Sequence, residues 1–350
     1  MLGVFGDPNE VPKWEVGFTW RWQKSDRHFT GHDEDVDRAT EHSEVINRIH
    51  QPELTIRRNF NNRWSLSVGI PYLMATRSNA LRDQDPAGSG EVIGRTETQA
   101  RGLGDITVVP HFVIWDPVKH QRGNVVVGLG VKIPTGENNV IDTRQRVTWD
   151  ATNMVNVISN DTPRTVDQSI QPGDGGFGYV VDANGYWRFW RNQAALYAGG
   201  SYLINPGNIS GVATYRNNPG ETIMSIADAY LARWGAIYYP GHGLGLSLGM
   251  RIEGVPTYDL IGESDGFRRP GYSLAVDPGA HWTHGPHTIA INIPWATHRN
   301  RKKSTADHMN GTHGDAAFAD YVLLLGYFYR FPAAAPRQES VVAPAAATNP

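Results

Sequence analysis

Along residues 14–22, WEVGFTWRW, every even position is large and apolar (Trp14, Val16, Phe18, Trp20, Trp22), and every odd one is small or polar (Glu15, Gly17, Thr19, Arg21). Successive side chains of a strand point to opposite faces, so the stretch predicts a strand with one aromatic wall and one polar wall. The same period of two returns over 64–74 (WSLSVGIPYLM), 123–134 (GNVVVGLGVKIP), 244–254, 271–282, 288–295 and 321–331. Less regular alternation predicts further strands over 48–60, 102–115, 176–189, 193–204 and 226–239, twelve in all.

The connections sort by length. Short turns near 61–63, 116–122, 190–192, 240–242 and 283–286 alternate with long polar stretches near 25–47, 75–101, 135–175, 205–225, 256–270 and 300–319. An up-and-down barrel segregates its loops in this way, whereas the crossings of a sandwich mix them. A propeller would show a blade repeat of about 40–50 residues, and none is present. Pro71, Pro134, Pro206, Pro256 and Pro294 end strands running toward the long loops, where ladder pairing is expected to stop. A tilted strand of about 11 residues spans roughly 25–28 Å, the height of an outer-membrane apolar band. Trp14, Trp22, Trp64, Tyr72, Trp282, Trp295 and Tyr321 cluster at strand ends on the apolar parity, as interfacial girdles do. Twelve strands enclose too wide a space for a dry core. The apolar wall is therefore expected to face lipid and the polar wall a lumen. The expected fold is all-β: a transmembrane up-and-down antiparallel barrel of about twelve strands over 14–331, with short periplasmic turns and long extracellular loops. A short periplasmic segment is expected over 1–13 and a disordered Ala/Pro-rich tail over 332–350.

Composition narrows the function classes. The absence of cysteine excludes disulfides, thiolate metal sites and thiol nucleophiles. With 35 acidic and 32 basic side chains the net charge is −3, which gives nucleic acid no broad attraction. No apolar run is long enough for a helical membrane span. The first residues, MLGVFGDPNEVPK, lack the basic start and apolar stretch of a secretory signal, so export to an outer membrane needs a signal that is cleaved or lies upstream.

Several stretches together carry a resemblance: RNFNNRWSLSVGIPY at 58–72, GLGDITVVPHFVIW at 102–115, VVVGLGVKIPTGENN at 125–139, INIPWATHRNRKKS at 291–304 and GDAAFADYVLLLGYFYRF at 314–331. In order and spacing the chain resembles the outer-membrane barrels of the phenol-degradation meta-pathway transporter family. The resemblance implies a transporter, linked in some members to aromatic-compound catabolism, and assigns no binding residues.

On the polar parity sit the lumen-lining candidates: acidic Glu15, Glu53, Asp105, Asp182, Glu253 and Asp277, basic Arg21, Arg57, Lys132, Arg188, Arg251 and Arg330, with His281 and His298. Their near balance argues against a strong single-sign filter, and cross-strand pairing accounts for many of them. His28, His32 and His42 stand among Asp33, Glu34, Asp35 and Asp37, but without ligand spacing on a fixed element. A solvated loop is expected there, with no metal site and no cofactor. A barrel enzyme would need Ser, His and a third polar group converging on the wall, and no serine motif accompanies His287, so no catalytic residue is assigned. The stretch 135–175 is long enough to fold inward and narrow a pore. The partners implied are outer-membrane lipid and lipopolysaccharide, the barrel-assembly machinery that reads a terminal aromatic strand, and a small-molecule solute. A channel for passive movement of small molecules, aromatic or hydrophobic compounds among them, is the expected function, with an occluded barrel serving as a structural or receptor protein as the alternative.

Overall fold

In a computed structural model, residues 13–331 are described and form a closed antiparallel barrel. Its twelve strands are β1 (Trp14–Thr30), β2 (Ile46–Asn59), β3 (Trp64–Arg82), β4 (Val92–Leu103 and Ile106–Val113), β5 (Gly123–Ile133), β6 (Gly178–Phe189), β7 (Ala194–Ile204), β8 (Ala229–Gly241), β9 (Leu244–Val255), β10 (Gly271–His284), β11 (His287–Asn292 and Trp295–Arg301) and β12 (Ala316–Arg330). The segment expected over 1–13, Lys13 apart, and the tail expected over 332–350 lie outside the described residues.

Each strand pairs with its chain neighbours, and β12 returns to β1 in a register running from Glu15 opposite Arg330 to Phe29 opposite Ala316. Closure satisfies the backbone groups that an open sheet edge would leave bare in lipid. The alternation read at 14–22 resolves as expected. Leu129 is 66% exposed and Leu248 62% on the outer parity, while Lys132 (4%) and Arg251 (7%) are enclosed on the inner one. Trp64, Trp282 and Trp295 stand on the outer surface with them.

The strands run farther toward the long-loop end than hydrophobic alternation marks. β1 continues through SDRHFT to Thr30, and β3 with the first segment of β4 forms a hairpin through most of the stretch expected as a loop over 75–101. These extensions carry Arg77, Ser78, Thr96 and Thr98, polar on both faces. Backbone pairing needs no apolar wall, so period-two hydrophobicity is blind to them.

The prolines divide. Pro134, Pro206 and Pro256 fall just beyond β5, β7 and β9, where pairing stops. Pro71 lies inside β3 instead. There β4 breaks at Gly104 and Asp105, the Pro71 carbonyl accepts a hydrogen bond from Gly104 N (2.8 Å), and the missing proline donor falls opposite a bulge rather than at a strand end. Pro294 separates the two segments of β11.

Two short helices stiffen the loops: α1 (Val36–Thr40) and α2 (Thr305–Asn310). In α2 the Ser304 hydroxyl accepts from Asp307 N while the Asp307 carboxylate accepts from Ser304 N, a reciprocal cap at its start.

Candidate functional site: the barrel lumen

Inward-facing positions of neighbouring strands build a lattice of paired charges. At the short-turn rim Arg330 donates from Nε to Glu15 (3.0 Å), joining β12 to β1. Half-way along, Arg21 on β1 reaches across the lumen to Glu253 on β9 with a two-pronged bond (3.0 and 2.7 Å), and Arg251 donates to the same carboxylate (2.9 and 3.1 Å). Along the other wall Arg57 donates to Ser67 (3.0 Å), and His111 meets Asp182 at 3.1 Å. The last pair spans β4 to β6 over Gly128 of β5, where a Cβ would collide with both side chains. Lys132 engages Asp174, with Asp105 at 3.5 Å. Asp105, in the break of β4, accepts Gly136 N (2.9 Å) and ties down the root of the longest loop. Glu53 accepts from Thr55 (3.1 Å), Asp277 from Asn292 (2.9 Å), Arg188 faces inward beside Tyr186, and His281 is enclosed with Tyr239 edge-on at 5.9 Å.

Thirteen of the fourteen lumen-lining candidates thus take the inner parity. His298 does not. The register between β10 and β11 slips between Leu274 and Ala275, so the strand gains a residue at Thr297 and His298 turns to the outside, against His32 (4.7 Å) and Tyr272 (5.8 Å). His28, expected in a solvated loop, instead lies within β1. It is 4% exposed, accepts a hydrogen bond from Val45 N (2.9 Å) and sits against Asp315, because β1 continues past its apolar stretch.

The loop between β5 and β6 folds into the barrel. Ile170 and Val166 pack on Ala75 and Ala100, with Ile49 and Leu73 beside them, so an apolar knob stands on the inner wall. Asp167 fastens it. Its carboxylate receives Arg269 (2.8 and 2.7 Å), the Tyr215 hydroxyl (3.0 Å) and Ser169 N (3.0 Å), with Arg77 at 3.5 Å. Burial alone would raise the affinity of Asp167 for a proton, but the Arg269 and Arg77 guanidinium groups hold it well below the usual carboxylate range. The length of 135–175 already allows an inward fold, but nothing in its sequence marks Asp167 as a fastener.

Between the knob and the wall lies a chamber of about 640 Å³. Its floor is the Arg21–Glu253–Arg251 bridge, and its walls include Leu203, Leu231, Val255, Ala275 and Ala296. A second cavity of about 330 Å³ lies beyond, sharing Arg21 and Arg251 and lined also by Glu53, Arg233 and Asp277. Arg233 escaped the sequence reading although its parity in LARWGAIYY places it inward with Leu231 and Ile237.

The chamber borders a seam in the wall. The outer segment of β11, Trp295–Arg301, pairs fully with β10 but meets β12 only at Trp295 opposite Tyr321. Above that point Arg299 bridges the gap, donating to the Ala319 carbonyl (3.2 and 3.0 Å) and to Asp320 (2.7 Å), and Gly31 and Arg301 close the top by exchanging backbone hydrogen bonds (3.0 and 2.8 Å). Pro294, Ala296, Ala319 and Tyr321 line chamber and seam alike.

A closed twelve-stranded antiparallel barrel with an apolar exterior and a charged, cavity-bearing lumen is the architecture of outer-membrane β-barrels. In fold the chain is similar to an outer membrane channel from Pseudomonas putida F1, at a TM-score of 0.54 and 10% identity over 93% of this chain and 99% of that one. It aligns less closely with a mutant of the TodX monoaromatic hydrocarbon channel (TM-score 0.48, 8% identity, 92% and 91% of the two chains) and with the translocator domain of autotransporter NalP from Neisseria meningitidis (0.46, 12%, 94% and 91%). No protein-family model and no curated relative matches the chain.

Proposed function

We propose that the protein is an outer-membrane channel that lets small molecules cross passively, with aromatic or hydrophobic compounds as its solutes. The observation that carries this reading is the chamber of about 640 Å³, mostly apolar in its wall though Ser201, Arg268 and Arg269 also line it, lying against a seam where the Trp295–Arg301 segment of β11 shares almost no ladder hydrogen bonds with β12. The fold likeness to an outer membrane channel supports the location, and in such barrels short turns lie on the periplasmic side and long loops outside. The stretches at 58–72, 102–115, 125–139, 291–304 and 314–331 support membership of the phenol-degradation meta-pathway transporter family.

An apolar solute entering from the long-loop side passes the inward loop, whose Gln168 and Ser169 border the chamber, then enters the chamber, and then meets the Arg21–Glu253–Arg251 floor. Crossing that floor demands that the solute replace or skirt a two-pronged ion pair. Leaving through the seam demands only that the Arg299 clip and the Trp295–Tyr321 contact open. The path of lower cost for a hydrocarbon is sideways, toward the bilayer, while ions and polar solutes have only the axial route. Outer-membrane lipid and lipopolysaccharide are the surroundings this exterior fits, and the barrel-assembly machinery its route of insertion.

The experiment is planar-bilayer conductance of the refolded protein, after heat-modifiable gel migration confirms a folded barrel, with phenol competed against the current. Steady current blocked by phenol supports a channel through which such solutes pass. A folded barrel that carries neither current nor phenol into vesicles refutes it and favours the occluded, structural alternative.

A further inference from the structure

Deepening the channel reading, the geometry points to an anion-binding station half-way down the lumen, in which Arg233 and Arg251 take the carboxylate of a small aromatic acid. The two arginines stand directly opposite each other on β8 and β9, both on the inner parity. Like charges facing across a ladder destabilise a sheet, and an enclosed charge without a partner costs more still. Both side chains are nevertheless enclosed, Arg233 at 8% and Arg251 at 7% exposure.

Their partners are unequal. Arg251 shares Glu253 with Arg21. Among the described residues no hydrogen bond or ion pair reaches the Arg233 guanidinium; its charged end faces the Tyr197 ring at 6.0 Å and is attracted through space by the Asp277 carboxylate. The two carboxylates that border the same cavity, Glu53 on β2 and Asp277 on β10, are engaged by Thr55 and Asn292. By formal charge this level is balanced, Arg21, Arg233 and Arg251 against Glu53, Glu253 and Asp277, yet of these six groups the Arg233 guanidinium alone makes no hydrogen bond, and it opens onto about 330 Å³ of space.

A guanidinium offers two parallel N–H donors matched to a carboxylate, and an incoming anion would relieve the Arg233–Arg251 repulsion. The space above Arg251 is the largely apolar chamber, which meets the second cavity at Arg21 and Arg251, so a molecule with an aromatic body and one carboxylate fits both halves: ring in the chamber, carboxylate skirting the Glu253 bridge to reach Arg233. Such a molecule is the kind of solute that the proposed channel would select over a neutral hydrocarbon of equal size.

The test uses benzoate and benzyl alcohol, of like size but one anionic and one neutral, titrated against the refolded full-length barrel in detergent and followed by ligand-observed NMR. Benzoate is expected to bind the wild-type barrel more tightly than benzyl alcohol. Arg233→Gln is expected to weaken benzoate roughly 10- to 100-fold, the range for a hydrogen bond to a charged group, and to leave benzyl alcohol within about twofold. Arg233→Lys, which keeps the charge and loses the fork, should fall between. Heat-modifiable migration checks that each variant is folded. A purely structural role for Arg233 would lower the unfolding temperature without changing the ratio of the two affinities. Equal binding of both probes, no binding of benzoate, or unchanged benzoate affinity in Arg233→Gln overturns the station. Conductance is measured in parallel. Current without benzoate binding leaves the channel and removes the station, while benzoate binding without current does the reverse.

Discussion

The Asp167 fastener sets how firmly the inward loop is held, and replacing it by asparagine isolates its charge from its shape. The carboxylate is 1% exposed and meets Arg269 twice, Arg77 once and Tyr215 once, with Arg77 8% and Arg269 17% exposed in their side chains. Removing one member of a buried ion cluster leaves the other charges without compensation, at a cost of about 3–5 kcal/mol. Arg269 retains some access to water and the asparagine oxygen still accepts a hydrogen bond, so the lower end, about 3 kcal/mol, applies. The cost falls on the folded-in state of the loop, not on the barrel, whose ladder does not pass through it. Opening of 164–172 should therefore become roughly 100-fold more frequent in Asp167→Asn, since each 1.36 kcal/mol is tenfold. Hydrogen exchange measured by mass spectrometry reads this directly: amides of 164–172 should lose protection by about that factor while β6 and β7 stay protected. Exchange within threefold of wild type across 164–172 would refute the reasoning, and would mean that the packing of Val166 and Ile170 on Ala75 and Ala100 holds the loop unaided.

Four further outcomes follow from the same geometry. Because Asp167 in the folded protein titrates well below an ordinary carboxylate, its stabilisation is complete above the unfolded value of about 4 and is lost only as pH falls through the lower folded value. Exchange of 164–172 should thus show no loosening attributable to Asp167 between pH 7 and about pH 5, and loosening of the loop centred near pH 6 would contradict that assignment. Arg299→Ala removes the clip across the seam and should speed entry of phenol into proteoliposomes while leaving single-channel conductance in potassium chloride unchanged; a parallel rise in both would place the phenol path along the axis. Glu253→Gln dissolves the floor between the two cavities and should raise conductance, with an unaltered current showing that the narrowest point lies elsewhere. Leu129→Arg puts a cation on the lipid face and should lower folding stability by up to about 2–4 kcal/mol, depending on its depth, in a urea titration in lipid vesicles; a change under 0.5 kcal/mol would argue against a lipid-facing position.

Much of this molecule is decided locally. Strand alternation depends only on the two-residue repeat of a pleated backbone, so WEVGFTWRW, GNVVVGLGVKIP and LGLSLGMRIEG carry their two faces with them. Number of strands, separation of short turns from long loops, and the inward placement of Arg21, Glu253, Arg251 and Asp277 followed from that repeat and from the need to close a sheet. What failed locally failed for physical reasons. His298 keeps the right parity in sequence but is turned outward by one extra residue at Thr297, and a bulge is a bargain between two strands, invisible in either alone. Pro71 reads as a strand end and is not one, because the break that accommodates it lies in β4, some thirty residues away. The polar extensions of β1 and β3 are strands because a partner's backbone is there to receive them. Only the tertiary structure brought Asp167 to Arg269, left Arg233 facing Arg251, and parted the outer segment of β11 from β12. Each depends on which groups distant in the chain come within about 3 Å of one another, a matter of barrel closure and loop folding that no periodicity encodes.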